Sequence, residues 1–589
     1  MRNLNYILMG LIVFLILTIH PLSSAKKLEY ADLLLYNGKI FTAEREKTFA
    51  QAVVIKNGKI IFVGTNNQAK KWVAQKSIDL EGKVLLPGLI DTHAHPIQGG
   101  FSELVGFSLH GELLTIPNLK SKVTEAIVNK SAFIDDVIYI NSVSTNYWSN
   151  IEDLHSLFNA DEYIGTPIVL AGDDGHTAWV NQAMLEKSGI SKEFISGLAE
   201  REQKFYGRDS QNNPNGFVSE EGFDTVRKNV SLPSNQLMIK AGQAAVNYFN
   251  SQGITAWVDA ISNAYPTEPM FTMNPSLEHL GAIPIYEKLA KLEKLTVHVG
   301  ALVASPKADL NDLKTIELIR EKYKHVPNFS ILGVKIFADG VPEYPTQTAA
   351  LSKPYSNSGA IVPTIINPST FGLFVTEADK RNLLVHIHAI GDEAVKTALD
   401  GVALARKTNG NSGINHTIAH LQFVDPNDFS RFKKLGVAAS MQLMWAVSNP
   451  STVELLKPYI DAKIYRYIYP THSLLSSHAL VVGGSDWPVS SANPWVAITR
   501  AITRKTTGST ELIPEEKVKL EDMLFAYTID AAKALRMQEK IGSIEIGKYA
   551  DFTLLNQDIF KISSEDLLNT KSVWTMFKGK FVYMADKKV

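Results

Sequence analysis

The stretch L-P-G-L-I-D-T-H-A-H-P, Leu86 to Pro96, runs a series of apolar residues into two histidines one residue apart. Side chains alternate faces along an extended strand, so His93 and His95 point the same way if the strand continues through them. Two imidazoles side by side suit a divalent metal. An H-x-H pair alone is weak evidence, because most such pairs are incidental. Its weight depends on what the strand belongs to.

Downstream, apolar strand-like runs alternate with helical stretches, the pattern of parallel β/α units. The runs start at Ile254 (I-T-A-W-V-D-A), Val297 (V-H-V-G-A-L-V), Gly333 (G-V-K-I-F-A-D-G), Leu384 (L-V-H-I-H-A-I-G), His416 (H-T-I-A-H-L-Q), Gly436 (G-V-A-A-S-M-Q) and Leu480 (L-V-V-G-G-S-D). With the strand that ends at His95 they make eight, the number that closes a (β/α)8 barrel. Residues 102–251 are left over, carry strands of their own in I-Y-I-N-S-V-S and P-I-V-L-A-G, and read as an insertion after the first barrel strand.

Both flanks of the barrel are strand-rich. From Ala31 to Val84, L-L-L-Y-N-G-K-I-F and A-V-V-I-K-N-G-K-I-I-F-V-G are broken by Asn-Gly, a strong hairpin signal. The C-terminal end has the same character in I-G-S-I-E-I-G-K-Y-A-D-F-T-L-L-N and S-V-W-T-M-F-K-G-K-F-V-Y. The expected fold class is therefore α/β: a TIM barrel over 85–535, and a small β-sandwich built from 26–84 and 536–589.

Composition narrows the chemistry. The 589 residues are 45% hydrophobic and 20% charged with net charge −1, which gives no electrostatic reason for nucleic acid or an anionic membrane as partner. There is no cysteine, so disulfides, thiolate metal sites and cysteine nucleophiles are excluded and a metal must take His, Asp, Glu or a modified Lys. Arg2, the apolar run Ile7 to Ile19 and Ser23-Ser24-Ala25 have the order of a signal peptide over residues 1–25. The expectation is export, to a periplasm; the alternative is an N-terminal membrane anchor.

Barrel chemistry sits where strands end, at the C-terminal face. The polar residues at those ends are His93, His95, Lys335, His388, His420 and Asp486. A lysine inside V-K-I-F is costly to bury as an ammonium and calls for a carboxylate, a shifted pKa or a modification. Each residue has a structural alternative. Lys335 could pair with Asp339, His386 or His416 could be the inward histidine, and Asp486 could cap the next helix. On the insertion, His176 in D-D-G-H-T-A-W-V-N either reaches over the barrel mouth to substrate or makes a hydrogen bond in a turn. Asp339, Trp445 and Trp487 follow barrel strands and either line the pocket or pack between loops.

With these residues in order, the chain resembles the metal-dependent amidohydrolase superfamily, in its N-substituted formamide deformylase-like branch (amidohydrolase family 3). The resemblance runs through N-G-K-I-F-T, V-L-L-P-G-L-I-D-T-H-A-H-P, D-G-H-T-A-W-V-N, V-K-I-F-A-D-G, H-A-I-G-D-E-A-V, G-S-D-W-P-V and I-G-S-I-E-I-G-K-Y-A-D-F. It implies that His93 and His95 bind the more buried metal with Asp486. It further implies that Lys335 is N6-carboxylated and bridges two ions, and that His388 and His420 hold the second. Relatives often have an acidic residue before the strand-six histidine, where Ala419 stands here. One or two divalent ions are expected, zinc first among them.

The implied activity is hydrolysis of a non-peptide C–N bond, amide or N-formyl, with Asp486 as proton shuttle and His176, Asp339 and Trp487 against a small-molecule amide. A metal-dependent deaminase is the second reading, disfavoured because lysine on strand four is a two-metal feature among relatives. Dipeptide or ester hydrolysis would use the same machinery. A ligand-binding protein without catalysis would lack a ligand or base, and none is lacking. The oligomeric state, including a homodimer, is left open.

Overall fold

A computed structural model describes residues 29–585. The signal-peptide reading of residues 1–25 lies outside the described residues; among them, no helix is long and apolar enough to cross a membrane.

The centre of the molecule is an eight-stranded parallel sheet. Its strands are β1 (Leu89–Ala94), β2 (Ile254–Asp259), β3 (His298–Ala304), β4 (Phe329–Phe337), β5 (Leu384–Ala389), β6 (Thr417–His420), β7 (Ala438–Met441) and β8 (Leu480–Gly483), hydrogen-bonded in chain order. These are the eight strands expected from the apolar runs. Strands covered on both faces are apolar throughout rather than alternating, and β2, β3 and β5 are buried at every position.

β1 and β8 close the ring through side-chain and backbone contacts. The Thr92 hydroxyl donates to Gly483 O at 3.0 Å, Ser485 N to Asp91 Oδ1 at 3.0 Å, and Asp486 N to His93 O at 2.7 Å. Gly484 makes this approach possible: a Cβ there would lie 2.9 Å from both the backbone nitrogen and the Cβ of His93. The fold is a (β/α)8 TIM barrel.

Two additions flank it. At the chain ends, a four-stranded sheet (Lys59–Gly64, Ala52–Lys56, Glu29–Tyr36, Trp72–Asp79) faces a six-stranded sheet in which Phe552–Leu555 pairs antiparallel with Val84–Pro87. Leu35, Val53, Ile55, Leu85, Phe552 and Met576 share the core between them, making a small sandwich from both ends of the chain. Val84–Pro87 leads directly into β1, and Gly88 N donates to Asp551 O at 2.8 Å, so the sandwich anchors the start of the first barrel strand.

The insertion after β1 builds its own six-stranded sheet, from Phe133–Ile134 to Pro214–Ser219, with a separate apolar core on each face. Alternation sorts the residues: Ile138, Ile140, Leu170 and Trp179 go to one core, and Val137, Tyr139, Val169, Ala178 and Val180 to the other. The helix Asn235–Ser251, which falls within the leftover segment, packs on the barrel instead. Met238, Ala241, Ala245, Val246 and Phe249 recur at helical spacing and join Ile97 and Trp257 in the barrel's core.

Gly484→Ala should therefore strain the closure. Overpacking of this kind typically costs about 1–3 kcal/mol, and denaturant unfolding of the variant should show a loss in that range. Unchanged stability would contradict the tight approach of β8 to His93.

Candidate metal centre

The two histidines of the opening stretch converge on one carboxylate. His93 Nε2 and His95 Nε2 lie 3.4 Å and 3.1 Å from Asp486 Oδ1. His93 is fully buried, and its Nδ1 shares a hydrogen bond of 2.8 Å with His386 Nε2, which turns Nε2 towards Asp486 and towards Lys335 Nζ at 3.5 Å. Asp486 sits at φ +56°, a strained conformation for a non-glycine residue and one that gathers at functional sites. It does not cap the next helix: Pro494–Thr503 is capped by Asn493, whose side chain accepts from Trp495 N at 3.0 Å.

β4, β5 and β6 complete the cluster. Lys335 is 1% exposed, and burial brings its amine down to about 7 against the pull of Asp486. It makes no ion pair with Asp339 among the described contacts. His388 donates from Nε2 to Gly340 O at 3.1 Å, and its ring centroid is 4.4 Å from that of His420. His420 Nδ1 is 3.9 Å from Asp486 Oδ2, and Trp445 stacks on the ring, with centroids 5.9 Å apart.

Both His386 and His388 face inward, His386 behind His93 and His388 at the cluster, as residues two apart on a strand should. His416 is the structural one: it bonds Asp379 Oδ1 at 3.0 Å and accepts from Val385 N at 3.0 Å.

Burial favours the neutral form of four imidazoles. It brings His93 down to about 3, helped by Lys335, and takes His386, His388 and His420 well below the usual histidine range. Burial disfavours the Asp486 carboxylate, but His93, His95 and His420 outweigh it and keep the group ionised. Neutral imidazole and ionised carboxylate are the metal-ligand forms.

The donors fit a divalent cation on a further ground. His95 Nδ1 and His420 Nδ1 are buried with no hydrogen-bond partner among the described residues, a costly state. His93, His420 and Asp486 each offer an atom within 4.8 Å of the others. Nitrogen and oxygen donors without sulfur suit zinc and also admit manganese, iron or cobalt.

The insertion reaches this cluster. His176 lies in the turn between strands Ile168–Gly172 and Thr177–Val180, its ring centroid 5.3 Å from that of His388. Its Nδ1 meets Glu220 Oε2 at 2.9 Å, and Glu220 in turn accepts from the Thr348 hydroxyl at 3.0 Å. Burial opposes the imidazolium of His176, but Glu220, Asp174 and Asp486 outweigh it and raise its pKa. Glu220 was not among the residues singled out in the sequence, and neither was Asp224. The Asp224 carboxylate accepts from Met270 N, Phe271 N and Thr272 N at 2.8, 2.7 and 2.8 Å, tying the insertion to the loop after β2.

Asp339 lies behind the cluster. It is fully buried behind His388 and accepts from Ala350 N, Ile390 N and Gly391 N at 3.0, 3.0 and 2.8 Å, so it organises the loops around the cluster. Burial pushes its carboxyl up to about 7. Trp487 is 4% exposed and packs against Tyr248 and Phe249, while still contributing to the outer cavity wall.

Two cavities meet at the histidines. An inner chamber of about 110 Å³ lies between the cluster and the insertion. An outer cavity of about 640 Å³ is lined by Trp445, Trp487, Tyr344 and Met444 among others. His176, His388, His420 and Asp486 border both.

Comparison with known proteins agrees with this geometry. The profile of the amidohydrolase family matches residues 76–583. Protein LONG AFTER FAR-RED 3 of Arabidopsis thaliana is 28% identical over 94% of this chain and 92% of its own length. N-substituted formamide deformylase of Arthrobacter pascens is 23% identical, over 94% of this chain and 98% of its own. The crystal structure of an uncharacterized metal-dependent hydrolase from Pyrococcus horikoshii OT3 has the same fold, with a TM-score of 0.68 at 22% identity, covering 90% of this chain and 99% of that one.

Asp339→Ala should behave as a folding lesion. Three buried backbone N–H groups would lose their acceptor, at roughly 1–3 kcal/mol each, so thermal unfolding should show a loss of several kcal/mol. A stable variant with a raised KM alone would return Asp339 to the substrate.

Proposed function

The chain belongs to the amidohydrolase family, a family of metal-dependent hydrolases, and on that premise we propose that it cleaves a non-peptide carbon–nitrogen bond, amide or N-formyl, in a small molecule. The observation that carries the reading is Asp486: a buried, ionised carboxylate within 3.4 Å of both His93 and His95 Nε2, bordering both cavities.

His93, His95 and Asp486 would hold one ion. His388 and His420 would hold a second, with Lys335 contributing as a carbamate. A neutral amine is the form that takes up carbon dioxide, releasing a proton, and the low pKa of Lys335 supplies it. When bound, a divalent cation held by these residues would lower the pKa of water towards neutrality and polarise a carbonyl oxygen.

The protein's own groups then divide the remaining work. Asp486 takes a proton from the attacking water and passes it to the departing nitrogen, because an amine anion is too poor a leaving group. His176, with Nδ1 directed at Glu220, presents Nε2 to the cavity, where it donates to the substrate oxygen as negative charge grows there. Export belongs to the same reading and rests on the apolar run before Lys26.

The test is a screen of N-formyl and N-acyl amines with the metal-loaded mature chain. Amine and acid should appear in equal amounts, activity should vanish on chelation, and metal should restore it. Cleavage of esters alone, or release of ammonia from aminated heterocycles alone, would overturn the C–N reading. Asp486→Asn should retain metal while turnover falls at least about a hundredfold, within the usual range for acid–base catalysis. Near-normal turnover with metal bound would remove the shuttle role.

Glu220→Gln tests His176. Its pKa is raised in the fold, so the imidazolium is present at low pH and lost as pH rises through that value. Removing the Glu220 charge lowers the value, and the alkaline limb of kcat/KM should move to lower pH. An unmoved limb would contradict a protonated donor at His176.

A further inference from the structure

The inner chamber holds a set of buried polar groups that the proposed chemistry does not use. Gln98, Ser102 and Arg227 border it, and Gln98 Nε2, Ser102 Oγ and Arg227 Nε are buried without a hydrogen-bond partner among the described residues. A buried polar atom left unpaired costs about 1–3 kcal/mol, and three around one small space call for a common occupant.

Their placement follows from the fold. Gln98 and Ser102 lie just after β1, where a short helix passes into a π-helix over Gly100–Val105, a widened turn that recurs at functional sites. Gly100 lets this segment press against the helix Asn235–Ser251, since a Cβ there would lie 2.2 Å from Ala241 O. Arg227 comes from the insertion and is 5% exposed. Its guanidinium lies 3.7 Å from the Phe223 ring centroid and reaches Asp224 Oδ1 at 3.2 Å and Gly175 O at 3.2 Å, which leaves Nε free.

All three orphans can donate, two of them only donate, and one belongs to a guanidinium. An ionised carboxylate is acceptor-only, with about four lone-pair sites, and matches that set. The chamber's own carboxylates do not fill the role. Asp174 is taken by Thr177 and the backbone of His176, and Asp486 by His93 and His95; Asp224, beside Arg227 but not on the chamber wall, is taken by the loop after β2. Asp173 is pushed up to about 7 by burial and by Asp174.

Size restricts the guest further. The space is small, about 110 Å³, which suits a short acyl group whose carboxylate lies close to the scissile carbonyl. The acyl half is the half that fits. It departs as an acid and can bring a carboxylate acceptor to the unpaired donors, whereas a leaving amine becomes a donor-only ammonium that offers them nothing.

Resting on the C–N hydrolase reading above, we propose that the inner chamber is an acyl subsite for a short carboxylate. The substrates would be half-amides of small dicarboxylic acids, malonyl-like in length, with the amine half in the outer cavity.

The test compares two acyl groups of equal shape, malonyl and isovaleryl, on one aromatic amine, using the metal-loaded chain. The malonyl amide should have a kcat/KM at least tenfold higher. Gln98→Met and Ser102→Ala should each cut that ratio at least threefold, and Arg227→Met should bring it near one. Calorimetric titration with malonate against isovalerate reads the same subsite without turnover, and Gln98→Met separates chamber binding from chelation of the metal, which it leaves intact. If no amide is cleaved but malonate binds at least tenfold more tightly and Gln98→Met weakens it, the subsite stands and the C–N reading fails. If amides are cleaved with equal preference and malonate gains nothing from Gln98 or Ser102, the chamber holds only water and the proposal is overturned.

Discussion

One contact organises this molecule: the carboxylate of Asp486 held between His93 and His95, 3.4 and 3.1 Å from their Nε2 atoms. It lies at the point where the last barrel strand returns to the first. The backbone makes the same join, because Asp486 N donates to His93 O. Closure of the barrel and assembly of the cluster are one event, and Gly484 is the residue whose lack of a side chain permits both.

The cluster is expensive as a purely structural device. Four imidazoles, an amine and a carboxylate are buried within one space, and several of their polar atoms have no partner. Groups of this kind are tolerated where they are paired or coordinate a metal. The surroundings repeat the pattern at a distance. Asp339 fixes the loops after β4 and β5 through three backbone bonds, and Glu220 fixes His176. Asp224 fixes the insertion to the loop after β2. Each is a buried carboxylate that positions another part of the site.

Much of this could be read in the sequence, for definite reasons. Parallel strands buried on both faces write themselves as apolar runs, so all eight barrel strands were legible, and the polar residues breaking those runs were the ones at the strand ends. Residues two apart share a face, which identified His93 with His95, although it could not decide between His386 and His388, because both face inward at different depths. What escaped were partners brought in by tertiary contact. Glu220 meets His176 across 44 positions, and no periodicity marks it. Arg227 looks like a solvent-facing charge in its helix until the insertion folds over the barrel. For Asp339, either a pocket or a loop-packing place was open from its position after β4; the backbone amides of two loops that close round it follow from loop path, which a strand pattern does not encode. The helix Asn235–Ser251 was grouped with the insertion because a leftover segment shows no internal boundary until its apolar face is seen against the barrel.

The central claim is that barrel closure builds a cage for a divalent cation at Asp486. The most direct measurement is anomalous diffraction from crystals of the zinc-loaded protein, recorded on both sides of the metal absorption edge. The account predicts anomalous density bounded by His93, His95 and Asp486, with any second peak between Lys335 and the pair His388 and His420. Zinc-loaded crystals with no anomalous peak in that cage, or with peaks only on the protein surface, would contradict it.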